Sequence, residues 1–231
     1  MIRISQEALK LIACLAMLID HIGYVLIPND ALRIIGRMAF PLYCFLLCQG
    51  IQHTKSPVRY VLRFFIILVI SEIPFDILFY NGLTWKMQNV MFTLLLGLLM
   101  GLCFRRISTL PWKLLCIIPF ALVAEYLKTD YGAYGILVIA LFLLSQYTPR
   151  PRLTECLGLL LLCLCKFDTQ ITVFGLSLPF QLFALLGMIP IALYNGKKST
   201  SSPFVKWGFY LFYPLHLVVL FLFKIFISSI C

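Results

Sequence analysis

Charged residues are scarce in this chain of 231 residues: they make up 12% of it, against about 25% in soluble domains. Hydrophobic residues make up 62%, and a soluble protein of this size has too little interior to bury that much apolar surface. The solvent around most of the chain must therefore be a lipid bilayer. The lack of a polar domain also excludes a nucleic-acid-binding module, and the 20 Phe and 11 Tyr exclude intrinsic disorder.

No CxxC motif occurs, although the chain has nine cysteines. Most of them lie in apolar runs, where cysteine behaves as a small hydrophobic residue. Cys163 and Cys165 are two apart on a predicted helix, so their side chains point to different faces. We therefore expect neither a disulfide framework nor a metal site.

Long apolar runs divide the chain into transmembrane segments, each of which needs about 20 residues. Nine segments is the best count, with eight or ten possible, and we expect an all-α, polytopic membrane bundle that forms a single domain over residues 1–231. The first run contains Asp20 and His21 and lacks a small-residue cleavage site, which favours a retained span over a signal peptide. The predicted spans are 8–27, 34–52, 60–80, 89–104, 112–127, 132–147, 153–166, 174–194 and 207–229.

Basic residues alternate from loop to loop. Of the 19 Lys and Arg residues, 13 lie at the N-terminus or in the loops after even-numbered spans, and the other four loops hold one each. By the positive-inside rule the N-terminus is cytoplasmic, and the net charge of +10 is an orientation signal. The 13 residues are Arg3, Lys10, Lys55, Arg59, Arg63, Arg105, Arg106, Lys113, Arg150, Arg152, Lys197, Lys198 and Lys206.

Ionisable residues inside the predicted spans mark the expected site, because a charge within a bilayer is costly and rarely accidental. With the N-terminus inside, most of them fall in the outer half of the predicted bundle. These residues are Asp20, His21, Arg37, Glu72, Asp76 and Glu125, with Asn89, Gln181, Gln49 and His216 as uncharged companions.

Lys10 and His21 form the most informative pair on the first span. Eleven steps of about 100° return to within about 20° of the same helix face, with a rise of about 16.5 Å. That rise is comparable to the distance between the phosphates and the thioester of an extended coenzyme A. Lys10 could therefore hold a phosphate while the imidazole of His21 deprotonates an acceptor. An interfacial lysine and a hydrogen-bonded core histidine explain the pair equally well at this point.

Motifs along nearly the whole chain resemble the TraX family. The opening blocks are MLIDHIG at 17–23 and RIIGRMAFP at 33–41. Further matching blocks are 60–63, 70–75, 89–94, 130–135, 193–196 and 209–217. TraX is the membrane acetylase that modifies the N-terminus of pilin in conjugation systems. The resemblance implies an acyltransferase of the bacterial inner membrane that uses acetyl-CoA and no metal.

The TraX family is in turn similar to the transmembrane acyltransferases, including the acyltransferase-3 group. The first helix of that group has a basic residue, ten further residues and then a catalytic histidine. This is the spacing of Lys10 and His21, although Lys stands here where many members have Arg. A lysine keeps a phosphate contact as a point charge but loses the bidentate geometry of a guanidinium.

The resemblance and the depth of the polar residues imply catalytic roles. His21 is expected to be the general base. Asp20 either fixes the tautomer of His21 or pairs with Arg37 across the outer loop, and we favour the pairing slightly. Arg37 or Asn89 is expected to stabilise the thioester oxyanion.

Binding roles are predicted for a second set of residues. The phosphates of acetyl-CoA are expected near Lys10, Arg59 and Arg63. Glu72 and Asp76, four apart on one helix face, could bind an acceptor ammonium or form ion pairs that hold helices together. Tyr213 and His216, in the motif FYPLH, are either further site residues or a packed polar contact, and His216 competes with His21 for the role of base.

Other function classes stay open at this point. A proton- or ion-coupled transporter would also place carboxylates, histidine and arginine in the membrane, but no internal repeat is found. A scaffold of a secretion apparatus would not require the spacing of Lys10 and His21. The expected partners are acetyl-CoA, the lipid bilayer and an acceptor peptide, glycan or small amine, without nucleic acid.

Overall fold

Helices dominate the structure, a computed structural model that describes residues 3–166, 169–173, 176–197 and 202–230. Lys198, one of the predicted cytoplasmic cations, lies outside these residues. The α-helices are α1 (Gln6–Val25), α2 (Asp30–Gly36), α3 (Ala39–His53), α4 (Pro57–Tyr80), α5 (Val90–Phe104), α6 (Leu110–Tyr126), α7 (Gly132–Ser145), α8 (Pro151–Leu164), α9 (Met188–Ala192) and α10 (Pro203–Ile230). The strands β1 (Gln170–Val173) and β2 (Leu176–Pro179) form an antiparallel hairpin, and a 3-10 helix, Phe180–Gly187, precedes α9.

Side-chain caps start several of these helices. The Ser5 hydroxyl accepts a hydrogen bond from the backbone N–H of Ala8 at 3.2 Å, which satisfies a donor in the first turn of α1. Asn29 does the same for α2, since its Oδ1 accepts from the N–H of Ala31 at 2.8 Å. The first two helices are therefore bounded by local signals in the sequence.

Among the described residues, three helical stretches are long and apolar enough to cross a membrane: Gln6–Val25, Asp30–His53 and Phe204–Ser229. Helix α4 has 24 residues but carries two arginines and two acidic residues, and α5 and α7 have only 15 and 14 residues. The predicted all-α class is confirmed for the described residues. Nine spans were predicted, whereas three helical stretches of the described residues meet this criterion of length and hydropathy.

The second predicted span, 34–52, is divided into α2 and α3 by a turn at Arg37 and Met38. Pro41 explains the break, because it has no N–H to donate to the carbonyl of Arg37 and its ring would collide with that carbonyl in a continuous helix. The turn brings the Arg37 side chain back towards α1.

The eighth predicted span, 174–194, is wrong as a single helix. Its first part belongs to the β1–β2 hairpin, where Ile171 pairs with Leu178 and Gln170 pairs with Pro179. A 3-10 helix and the five-residue helix α9 follow. The run of residues 170–173, QITV, is rich in β-branched residues, which favour strands. Pro179 would interrupt a helix. The strand propensity therefore outweighs the apolar composition here.

The chain separates into two compact units. The first contains residues 1–43 and 150–231, and the second contains residues 44–149. In the first unit α1 packs against both α2 and α10, and an isolated parallel bridge joins Ile4 to Tyr194. In the second unit α5 packs against α4, α6 and α7.

Glycines allow close helix packing within each unit. In the first unit, a Cβ added at Gly23 would lie 2.7 Å from Cβ of Leu32, and one added at Gly36 would lie 2.7 Å from Cα of Asp20. In the second unit, a Cβ at Gly101 would lie 3.2 Å from Cδ1 of Leu143 on α7. The approach of α2 to α1 at Gly36 matters most here, because Asp20 is a predicted site residue.

We predict that Gly36→Ala destabilises the protein by about 1–3 kcal/mol, because the new methyl group would collide with Asp20. Gly208→Ala is the matched control. Gly208 lies in α10 with no heavy atom within 4 Å of an added Cβ, so the substitution should leave stability unchanged or raise it slightly. Thermal unfolding in detergent measures both, and equal melting temperatures for the two variants would contradict the close approach.

Candidate functional site

Two histidines face each other in the first unit. Nδ1 of His21, on α1, lies 2.8 Å from Nε2 of His216, on α10. The two rings are nearly parallel, with an interplanar angle of 12° and centroids 5.0 Å apart. The structure thus joins two residues that the sequence predicted as competitors for one role. In the described part of the chain, no group of three or more His, Cys, Asp or Glu side chains could hold a metal ion.

The ring of His216 is held in place by its own helix. Its Nδ1 lies 2.9 Å from the carbonyl oxygen of Phe212, one turn earlier. The Phe212 ring stacks on it at a centroid distance of 5.1 Å, and the Tyr213 ring lies 5.5 Å away. Tyr213 and His216 are each 5% exposed. Tyr213 therefore contacts the site through His216.

Lys10 lies on the same side of α1 as His21. Its Nζ is 5.3 Å from the ring centroid of Phe209 on α10. Phe209 precedes His216 by two helical turns, so the two lie on the same face of α10. Lys10 and His21 therefore both contact that face. The face of α1 that carries the cation and the imidazole is turned towards α10.

Asp20 and Arg37 form an ion pair between α1 and the end of α2. Their side chains are only 13% and 14% exposed. The carboxylate next to His21 in sequence is thus engaged by the guanidinium. Of the two roles predicted for Asp20, the pairing with Arg37 is the one that the structure has.

Arg33 is a neighbour of the site that was not among the predicted site residues. Its guanidinium carbon lies 4.9 Å from the ring centroid of Tyr24 and 5.0 Å from that of Phe180. Arg37 lies over the same Phe180 ring at 5.4 Å. The positive charges of both arginines interact electrostatically with His21. Arg33 and Arg37 are four residues apart and therefore share one face of α2, and this spacing could have identified Arg33 as a neighbour of the site from the sequence.

Asn89 has a structural position in the second unit. Its Oδ1 accepts from the N–H of Met91 at 2.9 Å and caps α5. Its amide nitrogen donates to Oε2 of Glu72 and, at 3.3 Å, to the carbonyl of Leu68. Both amide hydrogens of Asn89 therefore have acceptors within the second unit, on α4.

Asp76 lies one helical turn after Glu72 and is 3% exposed. Its Oδ2 accepts from the N–H of Thr84 at 2.8 Å, while Oδ1 has no hydrogen-bond partner among the described residues. Neither carboxylate forms an ion pair within the ranges that the structure describes. The second unit thus contains two acidic groups whose hydrogen bonds come from neutral donors.

Arg59 and Arg63 lie in the first two turns of α4, also in the second unit. Nε of Arg59 donates to Oγ of Ser56 at 3.0 Å. The guanidinium of Arg63 lies 5.7 Å from the ring centroid of Tyr60. Lys10 belongs to the first unit, so the shared phosphate contact of these three cations stays a prediction.

The family of the chain follows from a comparison that covers all of these residues. The family model described as TraX protein matches residues 5–224. The chain belongs to the TraX family. The resemblance drawn from the sequence motifs is confirmed, and every predicted site residue, from Lys10 to His216, lies inside the match.

Two relatives of this TraX-family chain are similar over most of their length. The Dichelobacter nodosus protein named probable fimbrial assembly protein FimC, serogroup H1, is 32% identical over 246 aligned positions, which cover 97% of both chains. An uncharacterized protein of Rickettsia prowazekii (strain Madrid E) is 32% identical over 183 positions, covering 77% of this chain and 69% of its own. No solved structure matches the chain.

We predict strong energetic coupling between Asp20 and Arg37. Asp20→Asn or Arg37→Gln alone leaves a largely buried charge without its partner and should cost about 3–5 kcal/mol. The double variant should cost less than the sum, with a coupling energy of about 0.5–3 kcal/mol in denaturant titrations. The helical pair Arg152–Glu155, in which Arg152 is 44% and Glu155 4% exposed, is the control and should couple more weakly, because solvent screens the exposed arginine. Coupling no larger than that of the control would contradict a structural role for the buried pair.

Proposed function

We propose that this TraX-family protein is a membrane-embedded acyltransferase that moves an acetyl group from cytoplasmic acetyl-CoA to an amine or hydroxyl acceptor. The observation that carries the proposal is the face of α1 towards α10. Lys10 and His21 lie on it, separated along the helix axis by about 16.5 Å. In the proposal Lys10 binds the phosphates and His21 acts at the thioester.

The proposed reaction needs one base and no metal. His21 accepts a proton from the acceptor amine or hydroxyl, whose nitrogen or oxygen attacks the carbonyl carbon of the thioester. The tetrahedral intermediate collapses as the carbon–sulfur bond breaks. The CoA thiolate leaves and takes the proton from His21, which returns the imidazole to its starting state.

Arg37 is the oxyanion donor in this proposal. Its ion pair with Asp20 holds it at the residue before His21, and its charge interacts electrostatically with His21. A guanidinium can donate to the pair and to a developing oxyanion at the same time. Asn89 was predicted as an alternative donor. Its amide hydrogens already have acceptors in Glu72 and Leu68, which favours Arg37.

The acceptor that we propose is an amine of a fimbrial or pilin subunit. Membership of the TraX family and the similarity to a protein named for fimbrial assembly support this class of acceptor over a glycan or a small amine. Glu72 and Asp76 also support it. Their carboxylates are not neutralised by an ion pair within the described residues, as expected for a site that receives an ammonium group.

We predict that His21→Ala lowers kcat for acetyl transfer by about 10²- to 10⁴-fold, because a positioned base contributes that factor. The measurement is the release of free CoA by purified protein in detergent with a peptide amine as acceptor. His53→Ala is the matched control, since His53 is exposed and hydrogen-bonds within its own helix to the Gln49 carbonyl. Full activity of His21→Ala would remove His21 as the base. A wild type without thioester turnover would favour the transporter alternative.

We also propose that the protein is a multi-pass inner-membrane protein with a cytoplasmic N-terminus. The alternation of basic residues between loops supports the orientation. The outward faces of the helices support the membrane. On α6, for example, Leu114, Ile118 and Leu122 are 48%, 53% and 65% exposed, as expected for side chains that contact lipid.

Cysteine labelling in intact cells tests the orientation. In a background without the exposed Cys103, Cys156 and Cys165, we expect Lys198→Cys to react only from the cytoplasm and Asp130→Cys only from outside. The expectation follows from the basic residues around position 198 and their scarcity around position 130. The reverse pattern, or labelling of both from one side, would overturn the orientation.

A further inference from the structure

The two facing imidazoles carry a defined direction of hydrogen bonding. Nδ1 of His216 lies 2.9 Å from the carbonyl oxygen of Phe212, and a carbonyl oxygen can only accept. Nδ1 of His216 must therefore carry a proton. The stacked Phe212 ring, at an interplanar angle of 9°, keeps the imidazole in the orientation that makes this bond.

A neutral His216 then has its lone pair on Nε2. His216 is neutral in this arrangement, because it is 5% exposed and the Asp20 carboxylate, next to His21 in sequence, is already paired with Arg37. Nε2 of His216 lies 2.8 Å from Nδ1 of His21, so Nδ1 of His21 must be the donor. A neutral His21 that holds its proton on Nδ1 has its basic lone pair on Nε2.

We propose that His216 is a positioning residue, which holds His21 as the Nδ1–H tautomer so that Nε2 of His21 is the nitrogen that accepts the acceptor's proton. The assignment rests on the proposed function, in which His21 is the base. It resolves the competition between the two histidines, because each has one role in a single chain of hydrogen bonds. That chain runs from His21 Nδ1–H to His216 Nε2, and from His216 Nδ1–H to the Phe212 carbonyl.

The loss of the His216 acceptor has a chemical consequence for His21. Neutral imidazole in water favours the tautomer with the proton on Nε2, and the hydrogen bond made by one ring nitrogen decides which tautomer is present. Without His216, the proton of His21 would move to Nε2. The nitrogen that should act as the base would then be occupied by a proton, as when a catalytic histidine is held in the wrong tautomer.

Substitutions of His216 by amides separate this role from simple packing. The side-chain oxygen of His216→Gln can reach the position of Nε2 and accept from His21. The shorter side chain of His216→Asn can reach only the position of Nδ1, beside the Phe212 carbonyl. If His216 only packs, the two amide variants should have similar tautomers of His21 and similar activity. If His216 positions His21, only the Gln variant should keep the Nδ1–H tautomer and the activity.

Nitrogen-15 NMR of histidine-labelled protein in detergent reads the tautomer directly. The chain has three histidines, so a His53→Gln background leaves only the pair of interest. We expect the Nδ1–H tautomer at His21 in this background and with His216→Gln. With His216→Ala and His216→Asn, we expect the Nε2–H tautomer. The Nε2–H tautomer in the starting protein, or an unchanged tautomer in His216→Ala, would overturn the proposal whatever the activity.

Kinetics of CoA release on the same variants connect the tautomer to turnover. We expect His216→Ala and His216→Asn to lower kcat on the order of 100-fold with an unchanged KM for acetyl-CoA, and His216→Gln to restore most of the activity. Equal losses for Gln and Asn would overturn the positioning role. A wild type that shows the expected tautomers but transfers no acetyl group would overturn the proposed function, and with it the catalytic purpose of the pair.

Discussion

The ion pair between Asp20 and Arg37 is the interaction on which the interior of the first unit depends. A charge in an apolar environment needs a partner, and here the turn before Pro41 and the close approach at Gly36 supply one. Because Asp20 faces α2, the next residue along α1, His21, is rotated by about 100° and faces α10. The ion pair and the imidazole pair therefore lie about 100° apart around α1, and α1 links them.

The second unit satisfies its acidic residues in another way. Glu72 accepts from the Asn89 side chain that also caps α5, and Asp76 accepts from the backbone of Thr84. Neutral donors bring no positive charge to these carboxyl groups, whereas in the first unit an arginine pairs with Asp20. In the proposed function, this difference is the reason why a cationic part of the acceptor is assigned to Glu72 and Asp76.

Local patterns in the sequence predicted α1 well, with a span at 8–27 against the observed Gln6–Val25, because helical periodicity depends on neighbouring residues. The pairing of Asp20 with Arg37 was also favoured, since a short connection joins them. The contact of His21 with His216 could not be predicted, because 195 residues separate them and only helix packing brings them together. The hairpin at 170–179 was missed, because an apolar run of that length has the hydropathy of a span whatever its backbone conformation.

In the proposed function, one end of the α1 face binds acetyl-CoA and the other end performs the reaction. The most direct test is the dissociation constant of an unreactive CoA thioether for the wild type, Lys10→Ala and His21→Ala, with the exposed Lys55→Ala as control. A lost charge-assisted phosphate contact should weaken binding to Lys10→Ala about tenfold or more, while His21→Ala and the control bind like the wild type. Unchanged binding to Lys10→Ala together with weakened binding to His21→Ala would contradict the account.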